Sequence, residues 1–303
     1  MSYAKNLSVC LVMCLVLVFG CSVVLANPHV NIVNKSGAKI YIYDMGGSNP
    51  KAAIQLENGQ TLNNYQLAVA SSKRIWIANA KLATIESGGQ PAPFNLQADG
   101  DKMFSFFEYT VIGDKYIVNL SVVDYFSYPL TLSFMADQTN VCVKNFEYGF
   151  KSFSQAAAAL KSQGKTWSQL VLQGEGPNPI YRIYGPNIVW ETGLKNGIKS
   201  LPTNLQSFYT DLPPDGLQLF APHTNNDVWQ NYAQISGFNV PVESRLMTVG
   251  YSKALLSVLQ IDKNKKHGIY LFPKDAQAEF TNLLNSNTMT VTVYPYNDKV
   301  TKK

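Results

Sequence analysis

Apolar and polar positions alternate with period two over most of the first half of the chain, and a helical period takes over only after about residue 150. The run HVNIVNKSGAKIYIYDMGG, from His29, alternates on both sides of an Asn-Lys-Ser-Gly turn and predicts a hairpin. QTLNNYQLAVASSKRIWIANAKLATI, ending at Ile85, continues in β-branched and aromatic residues, and SGGQPAPFNLQADGDK, ending at Lys102, reads as a long Gly/Pro-rich loop. FFEYTVIGDKYIVNLSVVDYFSYPL (106–130) then holds two apolar runs around a Gly113-Asp114 turn signal, with PLTLSFMA a further strand behind it. Beyond Phe150, SFSQAAAALKSQG predicts a helix that starts at Ser152 and stops at Gly164. WSQLVLQG and IYRIYGPNIVW predict strands around a GEGPNP turn. SKALLSVLQ and PKDAQAEFTNLLN predict helices, the second opening on Pro273, and MTVTVYPY predicts a late strand. Closely spaced strands with turn chemistry between them argue for an antiparallel sandwich or barrel over residues 27–145. A mixed α/β unit is expected over 146–303, its late strands free to return to the first. The fold class is therefore mainly β with an α/β part.

The segment before His29 is of another kind. Lys5 lies in a short polar start, Leu7 to Val24 is almost unbroken apolar sequence, and Val24-Leu25-Ala26 supplies a small-residue exit. That order predicts a secretory signal peptide over 1–26 and a secreted product, extracellular or periplasmic. On length alone the run also suits a retained membrane anchor. Cys21, behind Phe19-Gly20, offers lipoprotein attachment as a minor alternative with a bulky Phe where a small residue is usual.

Composition narrows the chemistry. Three of the four cysteines (Cys10, Cys14, Cys21) fall in the targeting segment, leaving Cys142 with no intramolecular partner, so the core must hold the fold. His29, His223 and His267 are too far apart for a metal-ligand spacing, and no cofactor or metal is expected. The net charge of +5 is spread along the chain, densest at Lys263–Lys266 and Lys299–Lys303, which reads as solvated surface and not as a nucleic-acid groove. Gly174-Glu175-Gly176 lacks the setting of a dinucleotide site, and no Gly-x-Ser-x-Gly elbow is present. Asn34 and Asn119 open Asn-x-Ser sequons.

Two acids stand out in the 106–130 stretch, because a carboxylate among Phe, Tyr, Val and Ile is costly unless paired or used. A two-residue turn at Gly113-Asp114 pairs Ile112 with Lys115, Thr110 with Ile117 and Glu108 with Asn119. Alternation then puts Phe106, Glu108, Thr110, Asn119 and Ser121 on one face, a polar patch suited to hydroxyl-rich ligands, with Phe107, Tyr109, Val111, Tyr116, Val118 and Leu120 on the other. Asp124 lies roughly 16 Å past Asn119 along a straight strand and points the wrong way, so cooperation with Glu108 requires a bulge or bend near Val122–Asp124. Paired carboxylates are the equipment of most glycosidases, one donating a proton to the leaving oxygen and the other activating water. Pattern alone, however, more often means solvated or ion-paired acids.

The same stretch resembles glycoside hydrolase family 64, the β-1,3-glucanases related to thaumatin-like proteins. The likeness rests on Phe107-Glu108-Tyr109-Thr110, on Asn119-Leu120-Ser121-Val122-Val123-Asp124, and on the Pro129-Leu130 strand start. Val30–Asn34 with Lys39–Tyr43 adds to it, and more weakly Asn145-Phe146 and Tyr181–Pro186. The resemblance implies a thaumatin-like β domain beside an α/β domain, with a wide glucan groove between them. It implies an inverting mechanism with Glu108 as general acid and Asp124 as general base, and sugar contacts at Thr110, Asn119 and Ser121. Glu108 would have its pKa raised by Phe106 and Phe107, and Tyr125 or Tyr128 would stack on sugar rings or pack in the core. The expected partner is β-1,3-glucan, acted on by a monomer without nucleic acid or membrane. The chain departs from thaumatin-like defence proteins in lacking disulfides, and from many relatives in having Asn119 for Asp. The alternative reading is a non-catalytic glucan- or wall-binding protein of the same fold.

Overall fold

A computed structural model describes residues 28–89, 91, 99–112, 115–122, 124–135, 146–211, 250–260, 280–283 and 288–297. The targeting segment with Cys21, the Gly113-Asp114 turn, Cys142, His223, His267, both lysine clusters and the start of the Pro273 helix lie outside the described residues.

Fourteen strands are described: β1 (His29–Asn34), β2 (Ile40–Asp44), β3 (Ile54–Leu56), β4 (Thr61–Gln66), β5 (Lys73–Ala78), β6 (Phe104–Ile112), β7 (Lys115–Leu120), β8 (Tyr125–Phe126), β9 (Leu130–Phe134), β10 (Tyr148–Gly149), β11 (Val171–Gln173), β12 (Tyr181–Tyr184), β13 (Phe280–Leu283) and β14 (Thr288–Val293). Six of them form a sheet in the order β13-β7-β6-β5-β2-β3, five form a second in the order β10-β9-β14-β1-β4, and β11-β12-β8 form a third. Around them lie α1 (Ala83–Glu86), α2 (Phe153–Ser162), α3 (Lys165–Ser168), α4 (Pro186–Asn196), α5 (Thr203–Asp211) and α6 (Gly250–Val258). The molecule is mostly β-sheet with some helices, and no described helix is long and apolar enough to cross a membrane.

The period-two pattern is what builds the core. On β1, Val30 and Ile32 are buried while His29, Asn31 and Val33 are half-exposed. Ile42, Ile75, Ile77, Phe107 and Val118 from the six-stranded sheet join the same apolar cluster. Each such side chain stabilises the fold by about 1.5–3 kcal/mol relative to exposure. Asp44 on β2 is buried too, and is satisfied by donation from Tyr109 Oη at 2.8 Å, Tyr65 Oη at 3.1 Å and the Gly46 amide at 2.8 Å.

Several expected elements come out differently; Ala83–Glu86 and Lys165–Ser168 are helical at the edges of stretches expected as β. β1 and β2 do not pair: β1 lies between β4 and β14, and β2 between β3 and β5. Asn34 turns the chain from one sheet to the other, donating from Nδ2 to the Ala38 and Leu56 carbonyls and accepting the Ser36 amide. Those bonds also bury Asn34, so this sequon presents no accessible side chain. The strand expected through Trp190 stops at Tyr184, because Pro186 takes the first position of α4, where its missing N–H costs nothing. Phe280–Leu283, expected as helix, is a strand antiparallel to β7. The Ser152 helix, the Ser252–Gln260 helix and the late strand are present with small boundary shifts.

Candidate active site

β5, β6 and β7 run side by side, and their register sets Arg74, Glu108 and Asn119 in one row across three strands. The β6–β7 pairing is the one the Gly113-Asp114 turn dictates, with Thr110 opposite Ile117 and Ile112 opposite Lys115. Within the row, Arg74 Nε donates to Glu108 Oε1 at 2.7 Å, the two side chains being 28% and 14% exposed. The Arg74 guanidinium lies 4.4 Å from the centre of the Phe106 ring and 5.8 Å from that of Trp76. Both rings are buried, so the cation rests on a fixed aromatic floor.

Asp124 lies just past a break in the strand. β7 ends at Leu120, and the chain leaves the six-stranded sheet to re-form as β8 against Ile183 and Tyr184 of β12. Three residues fix that departure. Tyr251 Oη donates to the Val122 carbonyl at 2.6 Å, and the Gly185 amide donates to the Asp124 carbonyl at 2.6 Å. Ser105 Oγ accepts the Ser127 and Tyr128 amides at 2.9 Å each and donates to the Tyr128 carbonyl at 3.1 Å. Tyr125 then stacks on Trp76 at 6.5 Å and meets Phe104 edge-on at 5.2 Å.

The electrostatics tie the two acids together. Burial alone would lower the Arg74 pKa, but Glu108 first, then Asp124 and Tyr125, raise it. One guanidinium therefore feels both carboxylates. The Tyr125 and Tyr251 hydroxyls are pushed well up, by burial first and by the Asp124 charge second. A second buried cation, Arg182, sits behind them, its guanidinium 4.6 Å from the Phe104 ring centre and 5.7 Å from that of Tyr125, and its Nη2 donates to the Lys102 carbonyl.

Comparison with known proteins decides the affiliation of this arrangement. The sequence model of the β-1,3-glucanase family, glycoside hydrolase 64, matches residues 16–205. The chain belongs to glycoside hydrolase family 64. Among solved structures, a laminaripentaose-producing β-1,3-glucanase in complex with laminaritetraose is similar over 90% of this chain and 99% of its own, with 16% identity and a TM-score of 0.54. A family 64 laminaripentaose-producing β-1,3-glucanase from Paenibacillus barengoltzii, complexed with laminarihexaose, aligns with 88% of this chain and 74% of its own at 14% identity and a TM-score of 0.47. A search of curated proteins returned no match. The family is one of glycoside hydrolases, so this chain is classed with enzymes of that kind.

In this family 64 chain the residues named from sequence do not all stand open to a ligand. Thr110 is half-exposed, but its Oγ1 accepts the Ser72 amide at 2.8 Å. Asn119 is 6% exposed, and its buried Oδ1 has no donor among the described residues; burial at this level also closes the second sequon. Ser121 is equally buried and lines a small cavity with Phe106, Val122, Phe126 and Tyr128. Tyr125 and Tyr128 are 2% and 1% exposed and belong to the core, the second of the two readings open for them. Sequence reasoning passed over Arg74, Ser105 and Tyr251. Only Arg74 left a sign, a charge running into the apolar stretch Ile75-Trp76-Ile77.

Proposed function

We propose that the protein is a secreted hydrolase of β-1,3-glucan acting by an inverting two-carboxylate mechanism. The observation that supports the reading is the row of Arg74, Glu108 and Asn119 across β5, β6 and β7, with Asp124 following the end of β7 at Leu120. Glu108, partly buried against an aromatic floor, is the general acid that protonates the leaving glycosidic oxygen. Asp124 is the general base that activates water on the opposite side of the sugar. Thr110, half-exposed beside Glu108's strand neighbours, is the sugar contact left open of the three named from sequence, with Asn119 and Ser121 buried beneath the face. The glucan lies in a groove along this face. The substrate class is supported by the family match and by the laminari-oligosaccharides in the related crystal structures. Export rests on the apolar segment before Ala26.

Reducing-sugar release from laminarin and curdlan tests the reading, with Glu108→Gln and Asp124→Asn beside the parent. Both variants are expected to lose roughly 10²–10⁴-fold in kcat with folding intact. Proton NMR of the first product is expected to show the α-anomer, as inversion of a β-linkage requires. Full activity in either variant overturns the assignment of that residue, and a β-anomeric first product overturns inversion.

A further inference from the structure

The assignment of two acids leaves open what holds them in register. Glu108 is gripped end-on. Arg74 uses Nε on Oε1, not the two-pronged fork by which a guanidinium usually seizes a carboxylate, and Oε2 has no partner among the described residues. The guanidinium cannot swing freely, because it lies against Phe106, and Phe106 is packed against Trp76 at 4.7 Å and Tyr125 at 6.3 Å. Tyr125 is the residue next to Asp124, so the same stack that fixes the cation also fixes the second acid.

We propose that Arg74 is the positioning residue of the catalytic pair. Its clamped guanidinium orients Glu108 through one oxygen and turns the other toward substrate. The charged and titratable groups facing the guanidinium are Glu108 from β6, and Asp124 and Tyr125 from the segment entering β8; Arg182 lies beyond the Phe104 and Tyr125 rings. The inference rests on the assignment of Glu108 and Asp124 above.

The test measures kcat and KM on laminarin across pH, together with thermal melting, for the parent, Arg74→Lys, Arg74→Met, Glu108→Gln and Asp124→Asn. Lysine keeps the charge but not the flat stack or the fixed Nε direction. Arg74→Lys is expected to lose roughly 100-fold in kcat with KM little changed and both limbs of the pH profile in place. Arg74→Met removes the charge as well as the stack and is expected to lose at least as much kcat, again with KM little changed. An Arg74→Met protein that melts lower but keeps the parent kcat and pH limits would show an ordinary structural ion pair and overturn the proposal. If Arg74→Met does not fold, Arg74→Lys decides: parental kcat overturns the proposal, and a selective loss of kcat supports it. Should Glu108→Gln and Asp124→Asn remain active, the assignment of the pair itself fails. Should both be inactive while the Arg74 variants match the parent, only the role of Arg74 fails.

Discussion

Ser105 is a single hydroxyl with three bonds, and they decide where the chain goes after the second acid. It lies between Phe104 and Phe106, on the opposite side of β6 from Glu108, and takes two amides and gives its proton to one carbonyl. Ser105→Ala leaves the Ser127 and Tyr128 amides buried without acceptors, at a cost of about 1–3 kcal/mol. Urea unfolding is expected to show that loss, and the folded variant is expected to lose kcat on laminarin because Asp124 is held just upstream. That Glu108 needs a partner was legible in the sequence, because a carboxylate within an apolar strand must be paired or used, and Arg74 pairs it. Ser105 was not, since a hydroxyl between two phenylalanines looks the same whether it is idle or bonded. Arg74 fell between these cases: its charge was visible, but its partner depended on a register between β5 and β6 that no tight turn announces.

Among the elements, what could be read was what local chemistry settles. The β6–β7 hairpin followed from its turn, and the Ser152 helix from its cap, where the side chain accepts the Gln155 amide at 3.0 Å. What could not be read was the choice of distant partners. β1 and β2 alternate as hairpin strands do, yet the alternation records only that each has one buried face. Phe280–Leu283 carries no local preference strong enough to resist pairing with β7. The β9–β10 contact makes the same point sterically. Gly149 has φ +135°, and a Cβ there would stand 2.2 Å from the Leu130 carbonyl oxygen. Gly149→Ala is expected to lower stability by at least about 1–3 kcal/mol from backbone strain alone. The amide protections of Gly149 and Gln260, which bond each other across this point, are expected to fall with it in hydrogen exchange.

On the scale of the whole molecule, two carboxylates outside the site make stability depend on acid. Burial alone would raise the pKa of Asp99, but Lys102 and the Thr84 and Ala83 amides overcome it and hold it low; this anchors the start of α1. Glu147 is likewise held low against burial, by Lys151, the Tyr294 hydroxyl and the charge of Lys35. A carboxylate whose folded pKa lies below its unfolded value stabilises the fold above about pH 4, and that stabilisation disappears as pH falls through the folded value. Urea midpoints between about pH 6 and pH 2 are expected to fall for the parent, and less steeply for Asp99→Asn and Glu147→Gln, which start lower. The order of the five-stranded sheet has a consequence in time. β1 is flanked on one side by β4 and on the other, in parallel, by β14, which follows it by about 260 residues. During synthesis one edge of β1 must wait, with Val30 and Ile32 incompletely covered, until β14 has left the ribosome, a delay that exposes the strand to premature association.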